Sequence, residues 1–141
     1  KLFEKEGVLN RVVFKKRSAN FIEHINLYKN IDLCLDTFPY PGVTTTCEAL
    51  WMNTPVISMA GFNFNSRCGE SILINSNLKD LVAKNEDDYI SKVVSFANDP
   101  DKLKKIRKLI YDEVLKTNTF NTKRFAANFW KSILDTYSNH K

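Results

Sequence analysis

The segment from Ile31 to Met59 restricts the fold more than any other part of the chain. Ile31-Asp-Leu-Cys-Leu-Asp36 is an apolar run with Leu33 and Leu35 on one face, the pattern of a strand. Thr37-Phe-Pro-Tyr-Pro-Gly-Val43 follows, where Pro39, Pro41 and Gly42 force a loop because proline fixes φ and lacks an amide donor. Thr44 to Met52 then reads as a helix with a threonine N-cap and Glu48 about one turn in, stopped by Asn53. Pro55-Val-Ile-Ser-Met59 is the next strand. Strands joined through a helix in this way run parallel.

The flanking sequence extends the alternation. Arg11-Val-Val-Phe14 is rich in β-branched residues and predicts a short strand. Asn20 predicts a helix cap, with Glu23 three residues later completing a capping box, and the helix carries Phe21, Ile22, Ile25 and Tyr28. Gly61 to Asn65 is a loop, and Ser66 opens a short helix to Leu73. The last third is helical. Asp87 to Asn98 carries Tyr89, Ile90, Val93, Val94 and Phe96, Pro100 starts a helix to about Lys116, and Asn121 to Tyr137 places Phe125, Phe129, Ile133 and Tyr137 at helical spacing. Strand, helix, strand, helix, strand, helix predicts an α/β domain of Rossmann-like, doubly wound type, with helices on both faces of a parallel sheet. One domain spans residues 1–141, its C-terminal helices occupying 100–139. Lys1 to Glu6 reads as the end of a helix, so the expectation is a fragment lacking its first strand.

Composition excludes several classes. The chain is 43% hydrophobic and 26% charged, which argues against disorder. Its longest apolar runs fall well short of a membrane span, and no signal-peptide stretch is present. The formal net charge is +5, but the basic residues do not form a nucleic-acid patch. Lys102, Lys104, Lys105, Arg107 and Lys108 alternate with Leu103, Ile106 and Ile110, as on the wet face of an amphipathic helix. Cys34, Cys47 and Cys68 form neither a Cys-x-x-Cys pair nor an even set. They read as reduced thiols of a cytoplasmic protein rather than disulfides or zinc ligands.

Ligands of such sheets bind beyond the carboxyl ends of the strands, where Asp36 to Glu48 falls. The first amides of a helix have no internal acceptors, and the positive end of the helix dipole lies behind them. An anion such as a diphosphate fits there. Gly42 lets the backbone approach it, Thr44 and Thr45 add hydroxyl donors, and Glu48 suits a ribose diol better than a phosphate. The residues alone leave two readings open: an anion site, or three threonines forming an ordinary helix cap.

The run Asp36-Thr-Phe-Pro-Tyr-Pro-Gly-Val-Thr-Thr-Thr-Cys-Glu-Ala-Leu-Trp-Met52, then Thr54-Pro-Val-Ile-Ser-Met-Ala-Gly61, resembles the catalytic C-terminal region of the O-GlcNAc transferase family. The Spindly-type protein O-fucosyltransferases are close relatives with a similar run. Agreement extends to Arg11-Val-Val-Phe14, Glu23-His24, Ser66-Arg67, Leu81-Val-Ala-Lys-Asn85 and Asn121-Thr-Lys-Arg-Phe125.

The resemblance implies the second, donor-binding half of a GT-B glycosyltransferase. It implies that Gly42, Val43, Thr44 and Thr45 bind the donor diphosphate, Glu48 the ribose, and His24, with Arg17 nearby, the nucleobase. It further implies transfer of a sugar, first of all GlcNAc from UDP-GlcNAc, to Ser or Thr hydroxyls of proteins. No cofactor or metal is expected. Human-type transferases have a histidine at the position of Val43 and a lysine at that of Phe21, and these departures keep GDP-fucose open as the donor. A bacterial glycan transferase and a non-catalytic binding module also remain open. The other Rossmann half and the tetratricopeptide repeats that present acceptors are expected upstream, so the chain alone is expected to be inactive. Exposed aromatics near its ends, Phe3, Trp130 and Tyr137, are expected to pack on that missing half or to drive self-association.

Overall fold

A computed structural model describes residues 1–139 of the chain. In chain order its elements are α1 (Leu2–Lys5), α2 (Phe21–Leu27), β1 (Cys34–Leu35), α3 (Thr44–Trp51), β2 (Val56–Met59), α4 (Cys68–Asn75), β3 (Val82–Ala83), α5 (Glu86–Asn98), α6 (Pro100–Glu113) and α7 (Thr122–Asn139). Several short 3-10 turns join them. The three strands are parallel and lie in the order β1-β2-β3, with Cys34 opposite Val56 and Ser58 opposite Val82.

Successive residues of β2 point to opposite faces, and each face has its own core. Val56 packs with Tyr28 and Ala49, supported by Ile25 and Ile31. Ile57 belongs to a larger cluster of Leu50, Leu73, Leu78, Leu81, Phe96, Ile110 and Val114. A sheet with helical layers on both sides is the α/β, Rossmann-like architecture expected from the alternation, of the kind that forms the halves of GT-B glycosyltransferases.

The strand set differs from the expected one. Arg11-Val-Val-Phe14 is not a strand. Leu9–Arg11 is a 3-10 turn, the chain after it runs unpaired, and Val13 and Phe14 are exposed. β-propensity alone does not make a strand, because a strand needs an edge to pair with. The third strand is instead β3, whose two residues sit beside β2 inside the Leu81-Val-Ala-Lys-Asn85 segment. The Ile31–Asp36 strand shrinks to β1, although Cys34 N donates to Pro55 O and Asp36 N to Ile57 O, so the pairing reaches the residue after it.

Helix boundaries follow local chemistry. Asn20 Oδ1 accepts from Glu23 N at 2.9 Å, as a cap should, while Glu23 Oε2 accepts from Ala19 N instead of closing the box on Asn20. Asn53 ends α3 with φ of 60°, a conformation asparagine tolerates. Ser66 lies in a 3-10 turn, with its hydroxyl closing a small loop on Asn63, and α4 itself begins at Cys68. α5 starts one residue before the expected Asp87, with Asn85 Oδ1 accepting from Asp88 N.

Three basic residues on α6 are held in ion pairs. Lys104 reaches Asp101, Lys108 reaches Asp112, and Arg107 reaches Asp32 just before β1. α7 carries its aromatic stripe as expected but buries none of its side chains. Among the described residues no helix is long and apolar enough to cross a membrane. All three cysteines are free and half-buried, and burial pushes the thiols of Cys34 and Cys47 up from their ordinary value.

Candidate functional site

The loop from Asp36 to Val43 is organised by one carboxylate. Asp36 stands just past β1. Its Oδ1 accepts from Gly42 N at 2.6 Å and from Thr37 N at 3.1 Å, and its Oδ2 accepts from Ser58 Oγ at 2.6 Å. Ser58 lies on β2 and is 1% exposed, so the loop is tied to the neighbouring strand as well as to its own base. The Thr37 hydroxyl donates to Tyr40 O, and the Tyr89 hydroxyl, from α5, donates to Asp36 O. Burial and the Asp36 charge push the Tyr89 phenol up, keeping it a donor. In the sequence Asp36 has no role of its own beyond ending a strand and opening the ligand-binding segment. The hint was an acidic residue at a strand's carboxyl end before a Pro/Gly loop, but Ser58 and Tyr89 are brought to it by folding.

This bracing delivers the N-terminus of α3 to the carboxyl rim of the sheet. The expected threonine cap is absent. Val43 holds the N-cap position, and valine has no side-chain acceptor to offer. Among the described residues, no protein atom accepts a hydrogen bond from the amides of Thr44, Thr45 or Thr46. Thr44 and Thr45 are exposed, whereas Thr46 is buried and donates its hydroxyl to Gly42 O at 3.0 Å. The reading of the threonines as an ordinary cap therefore fails on geometry, because the donors a cap would satisfy remain open.

Gly42 is also packed against the start of α3. A Cβ there would overlap the hydroxyls of Thr45 and Thr46, so the space a side chain would fill is already occupied by the threonines. Glycine allows the loop to close down on α3.

Glu48 lies one turn into α3 with its side chain 17% exposed. His24 Nε2, from α2, is 2.9 Å from Glu48 Oε2. The Tyr28 hydroxyl is 3.3 Å from Thr45 O, to which it donates, and 3.5 Å from the same Glu48 oxygen. Burial first, and then the Glu48 charge, push the Tyr28 phenol up to about 12. The structure thus brings His24 and Glu48 together beside the open end of α3. Arg17 is not brought in: it is exposed on the segment after Arg11, and among the described residues it makes no hydrogen bond or ion pair.

Two cavities border the loop. One, of about 370 Å³, is lined by Asp36, Phe38, Met59, Glu86 and Tyr89. The other, of about 390 Å³, is lined by Val43, Phe64, Arg67, Cys68, Ser71 and Ile72. Among the described residues no three His, Cys, Asp or Glu side chains come close enough together to hold a metal ion.

Comparison with known proteins matches this frame to one family. The family model described as Glycosyl transferase family 41 matches residues 2–129. The chain belongs to glycosyltransferase family 41. Over 116 residues it is 40% identical to the probable UDP-N-acetylglucosamine--peptide N-acetylglucosaminyltransferase SPINDLY of Arabidopsis thaliana, covering 77% of this chain and 13% of that protein. It is 30% identical over 132 residues to the UDP-N-acetylglucosamine--peptide N-acetylglucosaminyltransferase of Giardia intestinalis, covering 94% of this chain and 9% of that one. Among solved structures, a mutant O-GlcNAc transferase of Thermobaculum terrenum superposes with a TM-score of 0.80 at 27% identity, over 95% of this chain and 25% of that chain. The family 41 domain described here therefore spans only a small part of the length of these relatives.

Proposed function

We propose that this domain binds the diphosphate of a nucleotide-sugar donor at the N-terminus of α3, as the donor half of a glycosyltransferase that moves GlcNAc from UDP-GlcNAc to Ser or Thr hydroxyls of proteins. The observation that carries the proposal is the set of unpaired amides at Thr44, Thr45 and Thr46, at the carboxyl rim of a parallel sheet, in a family 41 chain. The relatives are named as peptide N-acetylglucosaminyltransferases, which favours UDP-GlcNAc over GDP-fucose.

In the reaction an acceptor hydroxyl oxygen forms a bond to the anomeric carbon. The bond from that carbon to the β-phosphate oxygen breaks, and the diphosphate leaves with the electron pair. Negative charge grows on the phosphates in the transition state. Fixed amides aimed at it stabilise that charge without reorganising, and one such donor is worth about 3–4 kcal/mol. The Thr44 and Thr45 hydroxyls add donors, and the open end of the helix supplies partial positive charge, so the site needs no metal for this purpose. Val43 contributes only its backbone. Glu48 takes the ribose, its carboxylate accepting from the diol. By resemblance His24, in contact with Glu48, stands toward the nucleobase, and Arg17 would join it there with its segment folded over the bound donor. The acceptor protein would be presented by tetratricopeptide repeats, and the cleft completed by a second Rossmann half, in the longer polypeptide of which this domain is the donor half. Free thiols fit a reducing compartment such as the cytoplasm.

Titration calorimetry of the full chain with UDP and with GDP tests the donor, and Thr45→Val tests the site. UDP should bind more tightly than GDP, and Thr45→Val should weaken UDP by about tenfold, the value of one hydrogen bond to a charged group. A preference for GDP overturns the UDP-GlcNAc assignment, and an unchanged affinity in the valine variant removes the threonine hydroxyl from the site.

A further inference from the structure

The contact between His24 and Glu48 joins two residues that the family resemblance assigns to different parts of the donor. An ionised carboxylate only accepts hydrogen bonds, so His24 Nε2 carries the hydrogen in the 2.9 Å contact and donates it to Glu48 Oε2. Tyr28 backs both partners. Its ring meets the imidazole edge-on, with centroids 5.7 Å apart and planes at 84°. Its hydroxyl lies 3.5 Å from the same Oε2. Tyr28 is 7% exposed and fixed in the core beside Val56, so the arrangement is anchored to the sheet.

Both neighbours converge on one carboxylate oxygen. Among the described residues, no protein donor reaches the other, Oε1. A glutamate in a second helical turn ordinarily samples several rotamers, and ordering it on a ligand costs free energy each time. Here α2 holds it in place beforehand.

We infer that His24 is a positioning residue: it holds Glu48 by Oε2 so that Oε1 is left for the ribose hydroxyls of the donor, and it acts on the donor through Glu48 rather than by packing on the base. The inference rests on the proposed donor site. It is separable from it, because a base contact and a ribose contact respond to different changes in the ligand.

The test is a cycle between protein and ligand, in which the full chain is titrated with UDP or GDP, whichever binds more tightly, and with the analogue lacking both ribose hydroxyls. His24→Ala removes the donor. His24→Leu removes it while keeping bulk against Tyr28, and so remains readable if the alanine variant does not fold. Either variant should weaken the natural nucleotide by about tenfold and leave the analogue within about twofold of wild type, the signature of coupling between neighbouring groups. Inorganic pyrophosphate should bind all three proteins alike. Equal losses for nucleotide and analogue, as packing on the base would give, overturn the inference and leave the diphosphate site standing. No loss with either ligand overturns it in the same way. If wild-type protein binds neither nucleotide nor pyrophosphate, the donor site and the inference fall together.

Discussion

Replacing Asp36 should damage the chain more than any other single change in the loop. In Asp36→Ala the amide of Gly42 and the hydroxyl of Ser58 lose partners at 2.6 Å, and Thr37 N loses one at 3.1 Å. Thr37 is exposed and water replaces its partner. Ser58 is 1% exposed, and the Gly42 amide faces into the loop, so water has poor access to both. Each unsatisfied buried group costs about 1–3 kcal/mol. Two of them give about 2–6 kcal/mol, and relief from desolvating a carboxylate returns part of that, leaving a loss of about 3 kcal/mol. With a urea dependence of about 2 kcal/mol per molar, the unfolding midpoint should fall by about 1.5 M. Asp36→Asn keeps an acceptor for Gly42 and turns an amide toward the Ser58 hydroxyl, which can accept, so it should lose only about 1 kcal/mol. Urea unfolding followed by tryptophan fluorescence measures both. A midpoint for Asp36→Ala within about 0.3 M of wild type would refute the view that this carboxylate organises the loop.

Two further outcomes follow from the same geometry. Gly42→Ala must rotate the Thr45 and Thr46 hydroxyls away and break the bond from Thr46 Oγ1 to Gly42 O, so nucleoside diphosphate affinity should drop by about tenfold in calorimetry; an unaltered affinity contradicts the packed role given to this glycine. Tyr28 stays protonated to about pH 12 in the folded chain but ionises near 10.0 once unfolded. Because the folded state holds this proton more tightly, the stabilisation is complete below pH 10 and is lost as pH rises toward 12; Tyr28→Phe should abolish that part of the alkaline destabilisation, and an identical pH profile in the variant contradicts the assignment.

The central βαβ unit was legible in the sequence because several local signals agreed there. Proline and glycine fixed the loop, an asparagine stopped α3, and β-branched residues marked β2. The third strand was not legible. Arg11-Val-Val-Phe14 has the composition of a strand and no edge to pair with, whereas Val82–Ala83 is too short to show a period and becomes a strand through its alignment with β2. For the site, the sequence pointed to the segment of Gly42, Thr44, Thr45 and Glu48, which the fold sets around the start of α3, but misassigned the cap. That error mattered, because Val43 at the N-cap leaves the amides open where a threonine would have closed them. Asp36, Ser58 and Tyr89 are far apart in sequence, and their joint hold on the loop appears only in three dimensions.

Hydrogen exchange at the amides of Thr44, Thr45 and Thr46 is the sharpest probe of the donor site, read by mass spectrometry on the full chain with and without a saturating nucleoside diphosphate. Free protein should exchange these amides rapidly, since nothing in the fold accepts from them, and the ligand should slow them more strongly than the rest of the domain. Slow exchange before any ligand is added, or no slowing at saturation, would contradict the account.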